Sequence, residues 1–86
     1  MTHERPQIAE GLEINEVDDG LVVYQESSER LHHLNPSASV VFQLCDGSRD
    51  AATIAATVGE LFGLGEVPDA EVESCLSRFI REGLVR

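Results

Sequence analysis

A chain of 86 residues has room for one domain, and a domain of that size buries only about 60% of the surface its unfolded chain exposes. Its 42% hydrophobic content excludes wholesale disorder, and with three Phe, one Tyr and no Trp the core must be aliphatic. Sixteen acidic residues stand against six basic ones, giving a formal charge of -10 that repels phosphate backbones; all six basic residues are Arg, so lysine Schiff-base and P-loop chemistry are excluded.

Residues 1–10, "MTHERPQIAE", read as a loose polar tail interrupted by Pro6, ahead of a domain spanning residues 11–86. There is no apolar targeting segment at the start and no run of about 18 apolar residues. The expectation is therefore a soluble, cytoplasmic protein.

Three short strands come next. Leu12 and Ile14 alternate with Glu13 and Asn15, and Asp19-Gly20 suits the left-handed dihedrals of a type I′ hairpin turn. "LVVYQ" is rich in β-branched and aromatic residues, "ESSE" makes a second turn, and "RLHHL" supplies the third strand. The pattern predicts a three-stranded antiparallel meander.

From Asn35 onward the chain reads as helical. Asn35 is an N-cap and Pro36 suits the first helical position. Ala38, Val41, Phe42 and Cys45 form an apolar stripe, and Gly47 is expected to end the helix in a left-handed conformation. A second helix begins near Asp50, with Ile54, Val58, Leu61 and Phe62 on its core face. "GLGEVP" breaks it. Asp69 is the expected cap of a third helix, with Glu71 in its first turn and Val72, Cys75, Leu76, Phe79 and Ile80 on its apolar face; Gly83 ends it. Three strands followed by three helices make an α+β domain, with the meander as a wing beside a helix-turn-helix core.

The chemistry-bearing residues do not converge. On a strand His32 and His33 point to opposite faces, so the pair is poorly placed to hold one metal ion; one imidazole is expected to be half-buried and the other to face solvent or a partner. Ser37 and Ser39 lie in a first helical turn with no nucleophile elbow around them. Cys45 and Cys75 belong to apolar helical patterns and read as buried free thiols, with an inter-helix disulfide the alternative. An acyl carrier is disfavoured because "DGSR" lacks the carrier's Asp-Ser-Leu context and the strands have no place in an all-helical carrier. No catalytic constellation and no cofactor are expected.

What remains is binding. The third strand of a meander is an edge with one row of backbone groups unpaired, and "RLHHL" is weakly defended by charge or proline. An extended peptide could add there as a fourth strand, with the third helix supplying apolar pockets for its alternate side chains. The same edge could pair with a second copy of the chain, giving a homodimer. A winged-helix transcription factor would need a basic recognition helix, and here the second and third helices carry more acid than base.

"HHLNPSASVVFQLCDG", then "AATIAATVGELFG", then a third amphipathic helix ending in "EGLV", resembles the PqqD-like peptide chaperones, also called RiPP recognition elements. The likeness spans residues 12–86 and is strongest in Leu34 to Ala38 and in Cys45 to Gly47. It implies a non-catalytic, winged helix-turn-helix-like domain without DNA-binding function. Such a domain binds the leader segment of a ribosomally made precursor peptide and presents it to a modifying enzyme, often a radical-SAM enzyme. Carried onto this chain, the resemblance places the leader against the strand Arg30, Leu31, His32, His33 and Leu34, and against Val72, Cys75, Leu76, Arg78 and Phe79 of the third helix. The acidic surface favours a leader with basic or apolar anchors, while Arg30, Arg78 and Arg81 could meet acidic ones.

Overall fold

The computed structural model describes residues 5–86. Three strands are followed by three helices: β1 (Leu12–Val17), β2 (Gly20–Gln25), β3 (Arg30–Leu34), α1 (Pro36–Gln43), α2 (Ala51–Leu61) and α3 (Asp69–Arg81). The strands form an antiparallel sheet in the order β1-β2-β3, so the expected α+β meander-then-helices arrangement is the one observed.

Register decides which side chains enter the core. Leu21 pairs with Leu34 and Val23 with His32, and all four are buried; Val22–His33 and Tyr24–Leu31 lie on the opposite face. Period-two alternation thus puts His32 inside and His33 outside, where its Nε2 lies 3.2 Å from Asp19 Oδ1. Among the secondary-structure elements α1 packs against β2 and β3, whereas β1 touches β2 alone, which leaves Ile14 and Val17 exposed.

The first hairpin differs from the expected type I′ turn. Val17 pairs with Gly20, so Asp18 and Asp19 form the loop, and neither has positive φ. The unusual backbone falls on Gly20 (φ 140°), where a Cβ would overlap the Leu34 carbonyl and meet Ser39 Oγ. Ser39, buried beneath, donates to that same carbonyl at 3.0 Å.

Asn35 caps α1 as expected: its side chain accepts from the Ala38 N–H at 2.9 Å, with Pro36 in the first turn. The helix ends earlier than predicted, at Gln43, so Gly47 is not its terminator. Cys45 lies just past the helix and is nevertheless fully buried; both cysteines are free thiols. Asp50 caps α2 through Thr53.

Two helical expectations need correction. Leu61 and Phe62 were expected on the core face of α2, but they are 64% and 42% exposed; Ala55 and Gly59 are buried with Ile54 and Val58 instead. In the last turn Val58 and Gly59 supply the buried positions, which leaves Leu61 and Phe62 at the surface. Asp69 does not cap α3, because Pro68 occupies that position and no side chain bonds there. Gly83 does end α3 as expected, at φ 76°. The Leu84 N–H bonds to Phe79 O and the Gly83 N–H to Ile80 O, which is a Schellman closure.

Residues 1–4 of the expected loose tail lie outside the described residues; over residues 6–9 the chain is tied down. Pro6 is fully buried, Gln7 and Arg86 exchange two backbone hydrogen bonds at 2.8 Å, and the Ile8 N–H donates to Cys45 O at 2.9 Å. This segment joins the last residues of the chain to the α1–α2 turn, which polarity alone does not foretell. The core it closes joins Leu21, Val23 and Leu34 to Phe42, Ile54, Phe79 and Leu84, with Phe42 and Phe79 edge-to-face at 5.5 Å between centroids.

Candidate functional site

Among the described residues β3 pairs only with β2, and its other side is an open edge. α3 flanks that edge without closing on it: no Cα of α3 comes within 8 Å of a Cα of β3. One stripe of α3 lies beside its core face. Glu71, Cys75, Arg78 and Glu82 recur at i, i+4, i+7 and i+11, so they share one face.

A polar bridge joins β2 and β3 to the end of α3. His32, only 5% exposed, has Nε2 3.2 Å from Gln25 Oε1 and Nδ1 3.7 Å from Glu82 Oε1. Gln25 Nε2 donates to Glu82 O at 3.0 Å, and Arg78 Nε donates to Glu82 Oε1 at 3.1 Å. Gly83 makes room for this, since a Cβ there would sit 3.1 Å from Gln25 Nε2. Among the described residues no buried side-chain N or O lacks a hydrogen-bond partner.

Toward the other end of α3, Ser37 and Cys75 line a cavity of about 460 Å³ between the three helices. Cys75 is half-buried, and burial pushes its thiol up from the ordinary value, with nearby Arg78 working in the opposite direction. Cys45 is pushed up to about 12, by burial first and by the charge of Asp46 second. Neither is an activated thiolate.

The sequence-predicted residues divide into two groups. Arg30, Leu31 (69% exposed) and His33 are exposed, the last two on the sheet face opposite His32, and Cys75 and Arg78 are half-buried on α3. Leu34, Leu76 and Phe79 are buried in the core, His32 is buried in the polar bridge, and Val72 is buried while contributing to the cavity wall. Reading the apolar stripe of α3 as groove lining is therefore corrected for Leu76 and Phe79. The neighbouring stripe brings in Glu82, which meets His32 of β3 and Gln25 of β2, and Glu71, which borders the three-helix cavity. Their signal was the 3.6-residue period of polar positions beside the apolar ones. Among the described residues no three His, Cys, Asp or Glu side chains are placed to hold a metal ion, and no helix is long and apolar enough to cross a membrane.

An α+β domain with an open sheet edge beside its last helix is thus defined by fold and site together. The family model described as "Coenzyme PQQ synthesis protein D (PqqD)" matches residues 20–85, and the chain belongs to that family. Among solved structures it is similar to "TbiB1 in Complex with the TbiA(beta) Leader Peptide", with a TM-score of 0.80, 13% identity, and coverage of 93% of this chain and 94% of that one. It is also similar to "Lasso peptide synthetase B1 complexed with the leader peptide", with a TM-score of 0.76, 16% identity, and coverage of 95% and 98%. At these identities the likeness is one of fold. A comparison with curated proteins finds no match.

Proposed function

We propose that this domain is a non-catalytic adaptor that binds the leader segment of a ribosomally synthesised precursor peptide and presents it to a modifying enzyme. The observation that carries the reading is the free edge of β3 with α3 standing off beside it. A leader laid along β3 gains backbone hydrogen bonds, and its alternate side chains reach the α3 stripe. Arg30, Leu31 and His33 offer the strand contacts, and Cys75 and Arg78 the helical ones. His32, Leu34, Leu76 and Phe79 hold these in place from beneath. Both solved structures of similar fold are described as leader-peptide complexes, which supports the reading. The partner is a precursor-modifying enzyme of the radical-SAM or another class, and the adaptor works in the cytoplasm without a cofactor.

Calorimetry tests this. Synthetic peptides covering the N-terminal halves of short reading frames beside the gene are titrated into the domain. A matching leader binds with Kd between nanomolar and low micromolar, about -12 to -8 kcal/mol. Leu31→Asp and Arg78→Glu weaken it while leaving the fold intact. If no such peptide binds, or if both variants bind as the parent does, the reading is wrong.

A further inference from the structure

Among the described residues, four of the seven exposed large hydrophobic side chains fall within residues 61–67: Leu61, Phe62, Leu64 and Val67. This is the corner where α2 ends and the loop to α3 begins. Phe62 and Leu64 also line the cavity of about 460 Å³ between the three helices, together with Val41, Val58, Val72 and Cys75. Exposed apolar side chains that run into an apolar hollow mark an interaction surface, whereas scattered ones do not. The loop that carries them is fastened to α2. The Leu64 N–H donates to Gly59 O at 2.9 Å, and a Cβ on Gly59 would sit 3.3 Å from Pro68 Cδ. Leu64 and Val67 are thus held at the surface in advance of any partner.

The charge at this corner has one sign. Between Arg49 and Arg78 the chain carries six acidic residues and no basic one. Glu71 lines the cavity itself, and Glu66 and Asp69 line a shallower hollow that shares Leu64, Pro68 and Glu71 with it. The partial positive charge at the N-terminus of α3, roughly half a unit, is outweighed by these carboxylates. A second copy of the chain would bring the same carboxylates against this face, because a two-fold contact sets one patch on itself. A free apolar molecule would use the cavity and leave the acidic rim without a role. A protein surface that presents a bulky apolar side chain between Lys or Arg residues uses both.

None of the residues lining the cavity belongs to a strand, so a peptide paired along β3 does not itself consume it. An adaptor that presents a bound leader has to hold the modifying enzyme by another face. We propose that the α2–α3 corner is that face, and that the enzyme docks there by placing a leucine or aromatic side chain, flanked by Lys or Arg, in the cavity. This rests on the leader-binding reading.

The test titrates the parent and its variants with two partners: the purified modifying enzyme encoded beside the gene, and the leader that binds in the calorimetry. Leu64→Asp and Val67→Asp alter exposed loop positions, and Glu66→Lys with Glu71→Lys reverses charge at the rim. Each weakens enzyme binding at least tenfold and leaves leader affinity within twofold of the parent, while amide NMR spectra show an unchanged fold. Leu31→Asp does the reverse, losing the leader and keeping the enzyme. Added salt weakens the parent's enzyme complex but not that of the charge-reversed variant. Corner variants that hold the enzyme as the parent does overturn the assignment, as does an enzyme that binds neither with nor without leader. Corner variants that lose leader and enzyme together make the corner part of the leader site, which also overturns it. Sedimentation of the domain alone should show a monomer; a concentration-dependent dimer abolished by Leu64→Asp would give the face to a second copy instead. Enzyme binding through the corner with no leader ever binding would leave the docking face standing and refute the leader-binding reading.

Discussion

The imidazole Nδ1 of His32 lies 3.7 Å from the Glu82 carboxylate and ties the edge strand to the last turn of α3. With Gln25 and Arg78 it is a fastening between two elements whose backbones stay apart. The edge strand is thereby tied to the end of α3 through side chains alone.

Because His32 and Glu82 share this bridge, their removal should be non-additive. Urea unfolding of Glu82→Ala, His32→Ala and the double variant is expected to show each single change costing about 1–2 kcal/mol and the pair costing less than the sum by about 0.5–1 kcal/mol. Strict additivity would mean that the contact carries no coupling.

Core and groove separate by what a substitution damages. Phe79, fully buried against Phe42, should cost about 3–5 kcal/mol as Phe79→Ala, a large part of the stability of a domain this small. Leu31→Ala, at an exposed edge position, should change stability by no more than about 0.5 kcal/mol while weakening leader binding. Thermal melts and calorimetry on the same two proteins read both effects.

Cys45 predicts a loss of stability in alkali. Its thiol ionises near 9 when unfolded and only near 12 when folded, so the unfolded chain loses its proton first as pH rises. The contribution is fully present below about pH 9 and falls away toward pH 12, with a slope approaching about 1.4 kcal/mol per pH unit. Cys45→Ala should flatten that part of the stability profile, measured by urea unfolding from pH 8 to 11. In native protein Cys75 should react with a thiol reagent before Cys45 does.

Removal of residues 1–9 should lower the melting temperature clearly. It deletes Pro6 from the core and strips partners from the backbone of Cys45, Gly47, Leu84 and Arg86. A truncated chain melting with the parent would mean that these bonds contribute nothing.

Local signals carried most of the fold. Asn35-Pro36 and Gly83 are read correctly because a cap or a left-handed stop is decided within a few residues. The alternation of "RLHHL" likewise separated His32 from His33 before any partner strand was known. Tertiary context decided the rest. Leu61 and Phe62 continue the period of α2 on its exposed side, and Pro6–Ala9 gain order only from the α1–α2 turn and the chain's last residues. In the candidate site the edge strand was legible from strand order, but the groove face of α3 was not. Its apolar stripe is the stronger sequence signal and belongs to the core, while Glu71 and Glu82 look like ordinary solvated acids until the fold sets them beside β3 and Ser37.

The most direct measurement of the central claim is an NMR experiment on the complex with a neighbouring leader peptide, reading intermolecular contacts between peptide and protein backbones. Strand-type contacts are expected from the peptide to the backbone of Arg30–Leu34, with side-chain contacts to Cys75 and Arg78. A bound leader whose contacts fall elsewhere, with the β3 amides still exchanging as they do in the free protein, would contradict it.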